Sequence, residues 1–407
     1  MESITRNRST TTTTSRRFTH SPCSSLLLLS LILLLSANNL PTPDKVVPLV
    51  KSIGATKVKL YDTDPKVLKA FAKTGIEFTV TIGNDELPQI AKDPKQAIDW
   101  VKKNVQCYLP DTNITCILIG NEVLTLNDSS LTSSLFPAMQ NMHSALQTLD
   151  LDSNVWVTTA HNLAILDTSY PPSAGAFRQD LGTYMSQILN FHAKTGSPFL
   201  INAYPYFAYK ANPDEVNLDY VLFQPTTDQI MVDPESSLRY DNMLYAQVDA
   251  VYAAMGPSYS KKVLVQVSET GWPSKGDEDE VGATPDNAKK YNGNLIKLVS
   301  DGQKKGTPMK PDTDLNVFVF ALFNENMKPG PTSERNYGLF KPDGTAAYSL
   351  GIPSIQAVGN SSSTSSGSST DGSDTDGPTA AVTGGGGGVG VGGDSSANGY
   401  LSISFSM

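Results

Sequence analysis

Val263-Leu264-Val265-Gln266-Val267-Ser268-Glu269-Thr270-Gly271-Trp272-Pro273 begins as an aliphatic run and stops at a carboxylate. The alternation of Val and Leu suits a buried strand, and Gly271 and Pro273 then turn the chain. An acid at this junction stands on a rigid base and faces the open end of a sheet. Parallel α/β sheets and barrels carry their chemistry at that end. Taken alone, Glu269 would equally suit a helix cap or a lysine partner, so its meaning depends on what the rest of the chain places beside it.

Working outward, helical and strand patterns alternate on both sides of this stretch. Helix-periodic segments at 43–53, 65–73, 94–106, 135–149, 179–194, 242–255 and 285–300 interleave with apolar strands at 57–61, 77–82, 115–119, 154–159, 198–204, 263–267 and 315–322. Val/Ile/Leu-rich strands joined through helices indicate a parallel sheet covered on both faces. Over some 300 residues the first choice is a TIM (β/α)8 barrel. The strand count falls one short, because the first element after the leader is a helix. The barrel is therefore expected to lack its first β-strand, or to draw part of the preceding Leu run into the sheet. A ring one strand short leaves two edges unpaired.

The ends of the chain have other compositions. Residues 1–37 join a basic leader (Arg6, Arg8, Arg16, Arg17) to the Leu26–Leu35 apolar run and a small residue, Ala37, which is the pattern of a signal peptide. This predicts a secreted protein, with residues 38–352 as the catalytic barrel. Residues 353–407 are read as a Ser/Gly-rich disordered tail, because 358–398 cannot bury enough apolar surface to offset its chain entropy. The Gly399–Phe405 stretch is short and Ser-rich for a lipid-anchor signal, so anchoring of the tail at the plasma membrane is only a weakly supported alternative. Beyond the leader, Cys107 and Cys116 can close a disulfide in an oxidising compartment, or Cys116 can be a buried thiol in a strand. Sequons at Asn113, Asn127 and Asn360 suit a glycoprotein. A net charge of −9 argues against nucleic acid. Four His and three Cys without ligand spacing predict no metal site, and without a phosphate-binding loop no cofactor is expected.

A partner for Glu269 stands in Ile117-Leu118-Ile119-Gly120-Asn121-Glu122-Val123, where another buried strand ends in an acid. With the absent stave counted, Glu122 and Glu269 follow the fourth and seventh strands and project from one rim. Two carboxyl groups about 5 Å apart, one protonated and one ionised, are what retaining glycoside hydrolysis requires. Asn121 is placed to bond a sugar 2-hydroxyl. Glu325, Lys328 and Glu334, after the last strand, are expected to form a charge network that keeps Glu269 ionised. Tyr61, Tyr204, Phe207 and Trp272 cluster at strand ends, where aromatic faces pack on sugar rings.

Together, Asn39-Leu40-Pro41, Leu60-Tyr61-Asp62, Gly120-Asn121-Glu122-Val123, Asn202-Ala203-Tyr204-Pro205-Tyr206, Ser268 to Pro273, Phe323 to Gly330 and Glu334 to Phe340 resemble a plant glucan endo-1,3-β-glucosidase of glycoside hydrolase family 17. The resemblance runs from about residue 38 to 352 and keeps the family's motif order. It implies a barrel that cuts internal β-1,3 linkages of glucans such as callose, with retention, in the plant cell wall and in plant defence. Glu122 would be the general acid/base and Glu269 the nucleophile. Glu334 is a rival for the acid. The expected partner is β-1,3-glucan, with no protein partner evident and a monomer expected. The family's usual opening strand, roughly Ile-Gly-Val-Asn-Tyr-Gly, is absent, and the cysteines leave no place for the Cys-rich module of some relatives. Loss of that strand also suits a different protein, one that binds β-glucan but is impaired in turnover.

Overall fold

The computed structural model describes residues 37–300 and 306–350, together with the backbone of 401–405. The signal-peptide region, most of the Ser/Gly-rich segment and Asn360 lie outside the described residues. The chain enters through α1 (Pro43–Ser52), then β1 (Lys57–Leu60), α2 (Pro65–Ala70), β2 (Glu77–Ile82), α3 (Leu87–Lys92), α4 (Pro94–Asn104) and β3 (Asn113–Asn121). It continues through α5 (Ser129–Thr148), β4 (Trp156–Asn162), α6 (Gly182–Thr195), β5 (Phe199–Asn202), α7 (Pro205–Ala211) and α8 (Leu218–Val221). The last described elements are α9 (Met243–Ser260), β6 (Val265–Thr270), α10 (Pro285–Ser300), β7 (Val317–Val319) and β8 (Leu401–Phe405). Two short ribbons, 166–168 with 176–177 and 231–232 with 239–240, decorate the loops.

Local chemistry fixes where the helices begin. Asp64, Asp93 and Asp128 each occupy an N-cap and accept from the backbone N–H two residues on, at 2.8, 2.9 and 2.9 Å. Pro65 and Pro94 follow at the first helical position, where a missing N–H costs nothing. α7 was not anticipated. Its aromatic run, Pro205-Tyr206-Phe207, reads as a strand end, but Pro205 starts a helix directly after β5.

The strands close into a ring in the order β1-β8-β7-β6-β5-β4-β3-β2. β1 through β7 pair in parallel wherever they meet, as expected for the barrel. The slot of the absent first stave lies between β1 and β7, and β8 fills it. β8 runs antiparallel to both neighbours, with Leu60 opposite Leu401, Lys57 opposite Ser404 and Val317 opposite Phe405. Two expectations change as a result. The edges of β1 and β7 are paired rather than open, and residues 401–405 are strand rather than disordered tail. Hydropathy did not reveal this, because a five-residue Ser-rich segment carries a strand signal too weak to separate from its surroundings.

Side chains divide by strand period. Phe78, Val80 and Ile82 of β2, Ile117 and Ile119 of β3, and Phe199 and Ile201 of β5 join the large apolar shell packed under the helices. Leu118, Ala160 and Leu200 form a separate small cluster within the ring. Cys116 is a buried free thiol and Cys107 an exposed one, so the disulfide alternative does not hold.

Candidate active site

The catalytic rim of a parallel barrel is reached along its strands, and two strands change step as they reach it. Between β3 and β4 the register runs from Leu118 opposite Thr158 to Asn121 opposite Ala160, so β3 holds one extra residue. Between β6 and β5 it runs from Val267 opposite Ile201 to Glu269 opposite Asn202, again with one extra residue on the acid's strand. An extra residue of this kind re-aims the side chains beyond it. On β6 it lets consecutive residues Ser268 and Glu269 both face the ring, while Thr270 turns out to hydrogen-bond Tyr291 of α10. Glu269 therefore lies inside its strand rather than just past it.

On β3 the change of step is made by backbone in the left-handed region. Gly120 has φ +63°, and a β-carbon there would stand 2.6 Å from Asn84 Oδ1. Only glycine takes this conformation in so confined a place. Asn84 uses the freed space to hold the next residue at both ends, accepting from the Asn121 N–H at 2.8 Å and donating to the Asn121 carbonyl at 3.1 Å. Glu122 itself has φ +57°, a conformation that costs a non-glycine residue energy and concentrates at functional sites. Its N–H donates to the Ala160 carbonyl at 2.9 Å.

Both acids line one cleft of about 330 Å³, together with Tyr61, Asn121, Tyr204, Phe207, Phe320, Lys328, Glu334 and Tyr337. Glu122 is held by two amides, Asn202 Nδ2 to Oε1 at 2.7 Å and Asn162 Nδ2 to Oε2 at 3.0 Å. Asn202 also accepts from the Ser268 hydroxyl, so a single side chain spans the ground between the two acids. Glu269, 7% exposed, accepts from Lys59 Nζ at 2.8 Å through Oε1 and from the Tyr204 hydroxyl at 3.0 Å through Oε2. Lys59 is fully buried and its ammonium lies 4.4 Å from the centre of the Tyr61 ring.

These surroundings push the two carboxyl groups apart. Burial raises Glu122 above the ordinary glutamate range, and the nearby charge of Glu269 adds to it. The amides of Asn202 and Asn162, with Lys59, oppose the rise without cancelling it. Burial also acts upward on Glu269, but the charge and hydrogen bond of Lys59, the Tyr61 hydroxyl and Lys328 outweigh it and hold Glu269 below its ordinary value. Glu122 is thus the better proton holder of the two and Glu269 the more readily ionised.

Two expected residues are placed elsewhere. Trp272 has no exposed surface. Its indole packs among Tyr206, Tyr209 and Tyr291 and donates to the Gly282 carbonyl at 2.8 Å, so it supports the wall and does not touch a sugar. Glu325 is buried, and desolvation pushes it up to about 8, so it is protonated at neutral pH and cannot help ionise Glu269. The charge at the cleft comes from Lys328, paired with Glu334 at 3.0 Å and set 4.3 Å from the centre of the Phe320 ring. Phe207 is 46% exposed at the cleft, beside Tyr204. Lys59, Asn84, Asn162 and Asn202 were not anticipated. The available sign for Lys59 was its position in Lys57-Val58-Lys59-Leu60-Tyr61, a charge at strand period with a rim tyrosine.

A ring of mostly parallel staves with one glutamate raised and one lowered on the same rim is the arrangement of an O-glycosyl hydrolase. Comparison with known proteins agrees. The profile of Glycosyl hydrolases family 17 matches residues 30–352, and the chain belongs to that family. It is 64% identical over 315 residues to glucan endo-1,3-beta-glucosidase 11 of Arabidopsis thaliana, covering 77% of this chain and 73% of the relative. Glucan endo-1,3-beta-glucosidase 10 of the same plant is also 64% identical, over 319 residues covering 78% and 74%. Among solved structures, CJP38, a beta-1,3-glucanase and pollen allergen of Cryptomeria japonica, superposes with a TM-score of 0.73 at 39% identity, covering 78% of this chain and 96% of that one.

Proposed function

We propose that this chain hydrolyses internal β-1,3-glucosidic linkages of glucans such as callose by double displacement, with Glu269 as nucleophile and Glu122 as acid and then base. The observation that carries the reading is the opposed setting of two carboxyl groups in one cleft, one raised by burial and one lowered by a buried lysine. The names of the most similar relatives supply the linkage.

In the first step a carboxylate oxygen of Glu269 attacks the anomeric carbon. The bond to the leaving oxygen breaks as Glu122 delivers its proton there, giving a glycosyl ester and a freed glucan end. Glu122, now ionised, takes a proton from water, whose oxygen displaces Glu269 with net retention. Lys59 and Tyr204 hold the Glu269 carboxylate in a fixed orientation, so little reorganisation is needed on attack. Asn121 is assigned to the 2-hydroxyl of the reacting sugar. Tyr61, Tyr204 and Phe207 offer faces to neighbouring sugars, with Lys328 and Glu334 at the cleft's edge.

Purified protein is expected to release reducing ends from laminarin, with β product formed first in a proton NMR time course, and to spare β-1,4-glucan. Glu269→Gln should lose at least about 10³-fold in kcat. Undiminished turnover by that variant, or first formation of the α anomer, would remove the assignment. The Leu26–Leu35 run supports secretion and the sequons support glycosylation, and the proposal places the enzyme as a monomer in the plant cell wall with a part in defence. Fractionation of tissue expressing the full chain tests that placement.

A further inference from the structure

We infer that β8 is a removable stave, and that the barrel is catalytically competent only while residues 401–405 of the same chain are paired between β1 and β7. The inference rests on the glucanase reading for its consequence, but not for its geometry.

Three features of the slot carry it. The first is how the segment is tied. In a (β/α) barrel each stave is bound to the next by a short crossover that packs on the ring. β8 is instead reached through residues 351–400, whose 358–398 portion is dominated by Ser, Gly, Thr and Asp, and it enters against the direction of its neighbours.

The second feature is the filling. A cavity of about 200 Å³ is lined by Leu40 ahead of α1, Val46 of α1, Val67 of α2, Phe71 at its end, and Ala321 and Phe323 just beyond β7. The described elements before and after β1 and after β7 therefore leave open space between them.

The third feature is what the two neighbouring strands hold. Lys59 stands opposite Ser402 in the ladder, and its ammonium is the partner of Glu269. β7 ends immediately before Phe320, a wall of the cleft. With β8 in place, Lys59 is fully buried and its ion pair is shielded from water. When β8 departs, β1 becomes an edge, water reaches the pair, and a Coulombic attraction that depends on low dielectric weakens. Glu269 then loses the fixed orientation that a dry contact with Lys59 gives it.

Two measurements test this. Facing residues of an antiparallel pair lie about 4.5–5.5 Å apart at Cα, within disulfide reach. The full chain carrying Lys57→Cys, Ser404→Cys and Cys107→Ser should therefore form an intramolecular disulfide between positions 57 and 404 on mild oxidation, seen by non-reducing peptide mapping. Absence of the link overturns the pairing, and a link between two chains overturns the claim that the stave comes from the same chain. Separately, a chain ended at Asn398 should fall at least 50-fold in kcat/KM on laminarin, and a peptide of residues 399–407 added in trans should restore activity in a saturable way. Full activity of the shortened chain, or no response to the peptide, overturns the dependence. If the unaltered chain fails to cleave laminarin, the glucanase reading fails while the disulfide still decides the pairing.

Discussion

Glu269 and Lys59 form the ion pair on which the chemistry turns. Both are buried, and the lysine is what keeps the carboxylate below its ordinary value despite burial. Lys59→Met should move the acidic limb of the kcat/KM profile upward in pH, because Glu269 then needs a higher pH to ionise. It should lower kcat about 10²-fold, with Lys59→Arg recovering part of the loss. The alkaline limb belongs to Glu122, whose raised carboxyl must keep its proton, and it should also move upward but by less, because Lys59 is only the smallest of the influences that lower Glu122. The unaltered enzyme is thus expected to show a bell-shaped profile, losing activity as pH falls through the Glu269 ionisation and as it rises through that of Glu122. A pH–rate series on the two variants separates a charge effect from a simple loss of packing.

At the scale of elements, the loops after β6 and β7 are fastened by one buried acid. Glu280 pairs with Lys210 at 2.6 Å and accepts from the Ser333 N–H at 2.9 Å and the Asp277 N–H at 3.1 Å. Burial acts upward on its carboxyl, but Lys210 and Ser333 prevail and bring it down to about 2. A depressed acid stabilises the fold above its unfolded value, and the contribution is lost as pH falls through the folded one. Glu280→Gln should therefore cost about 2–3 kcal/mol near neutral pH, shrinking below the ordinary glutamate value of 4.5 and largely gone near pH 2 by denaturant titration. The elements themselves were largely legible. β1, β2 and β6, and helices α4, α6 and α10, fall within a few residues of their sequence patterns because apolar period alone sets them. The changes of step on β3 and β6 were not legible, because an extra residue alters neither composition nor period over so short a run. Without them the roles of Asn202 and Ser268 could not be inferred, although Glu122 and Glu269 stood out as the acids ending apolar strands.

Across the whole molecule, the ring and its helical shell have a built-in acid limit. His161 on β4 and His192 on α6 are both fully buried, and desolvation holds each down to about 3. His161 stacks on Phe199 at 4.8 Å, and neither of its nitrogens has a hydrogen-bond partner among the described residues. Folding keeps both rings neutral, while the unfolded chain takes up protons below 6.5. Stability should accordingly be full above that value and decline as pH falls toward 3, by about 1.4 kcal/mol per pH unit for each histidine. His161→Leu should remove one histidine's share of that slope in urea titrations between pH 6 and 4. The barrel as a whole was legible from the alternation of strand and helix, and so was the gap where its first stave should stand. What fills the gap was not, because pairing with both β1 and β7 is a long-range event that a five-residue segment does not announce.

The extra residues on β3 and β6 make the enzyme depend on arithmetic as much as on chemistry. Removing one amino acid upstream of Glu269, for example Val267, would leave that acid opposite Asn202 but return the strand to simple alternation, swinging Ser268 to the greasy outer layer and stripping Asn202 of its hydroxyl partner. Such a one-residue deletion would loosen the amide that spans the two acids while keeping both glutamates in the ladder, and a search that checks only for their presence would pass it as intact.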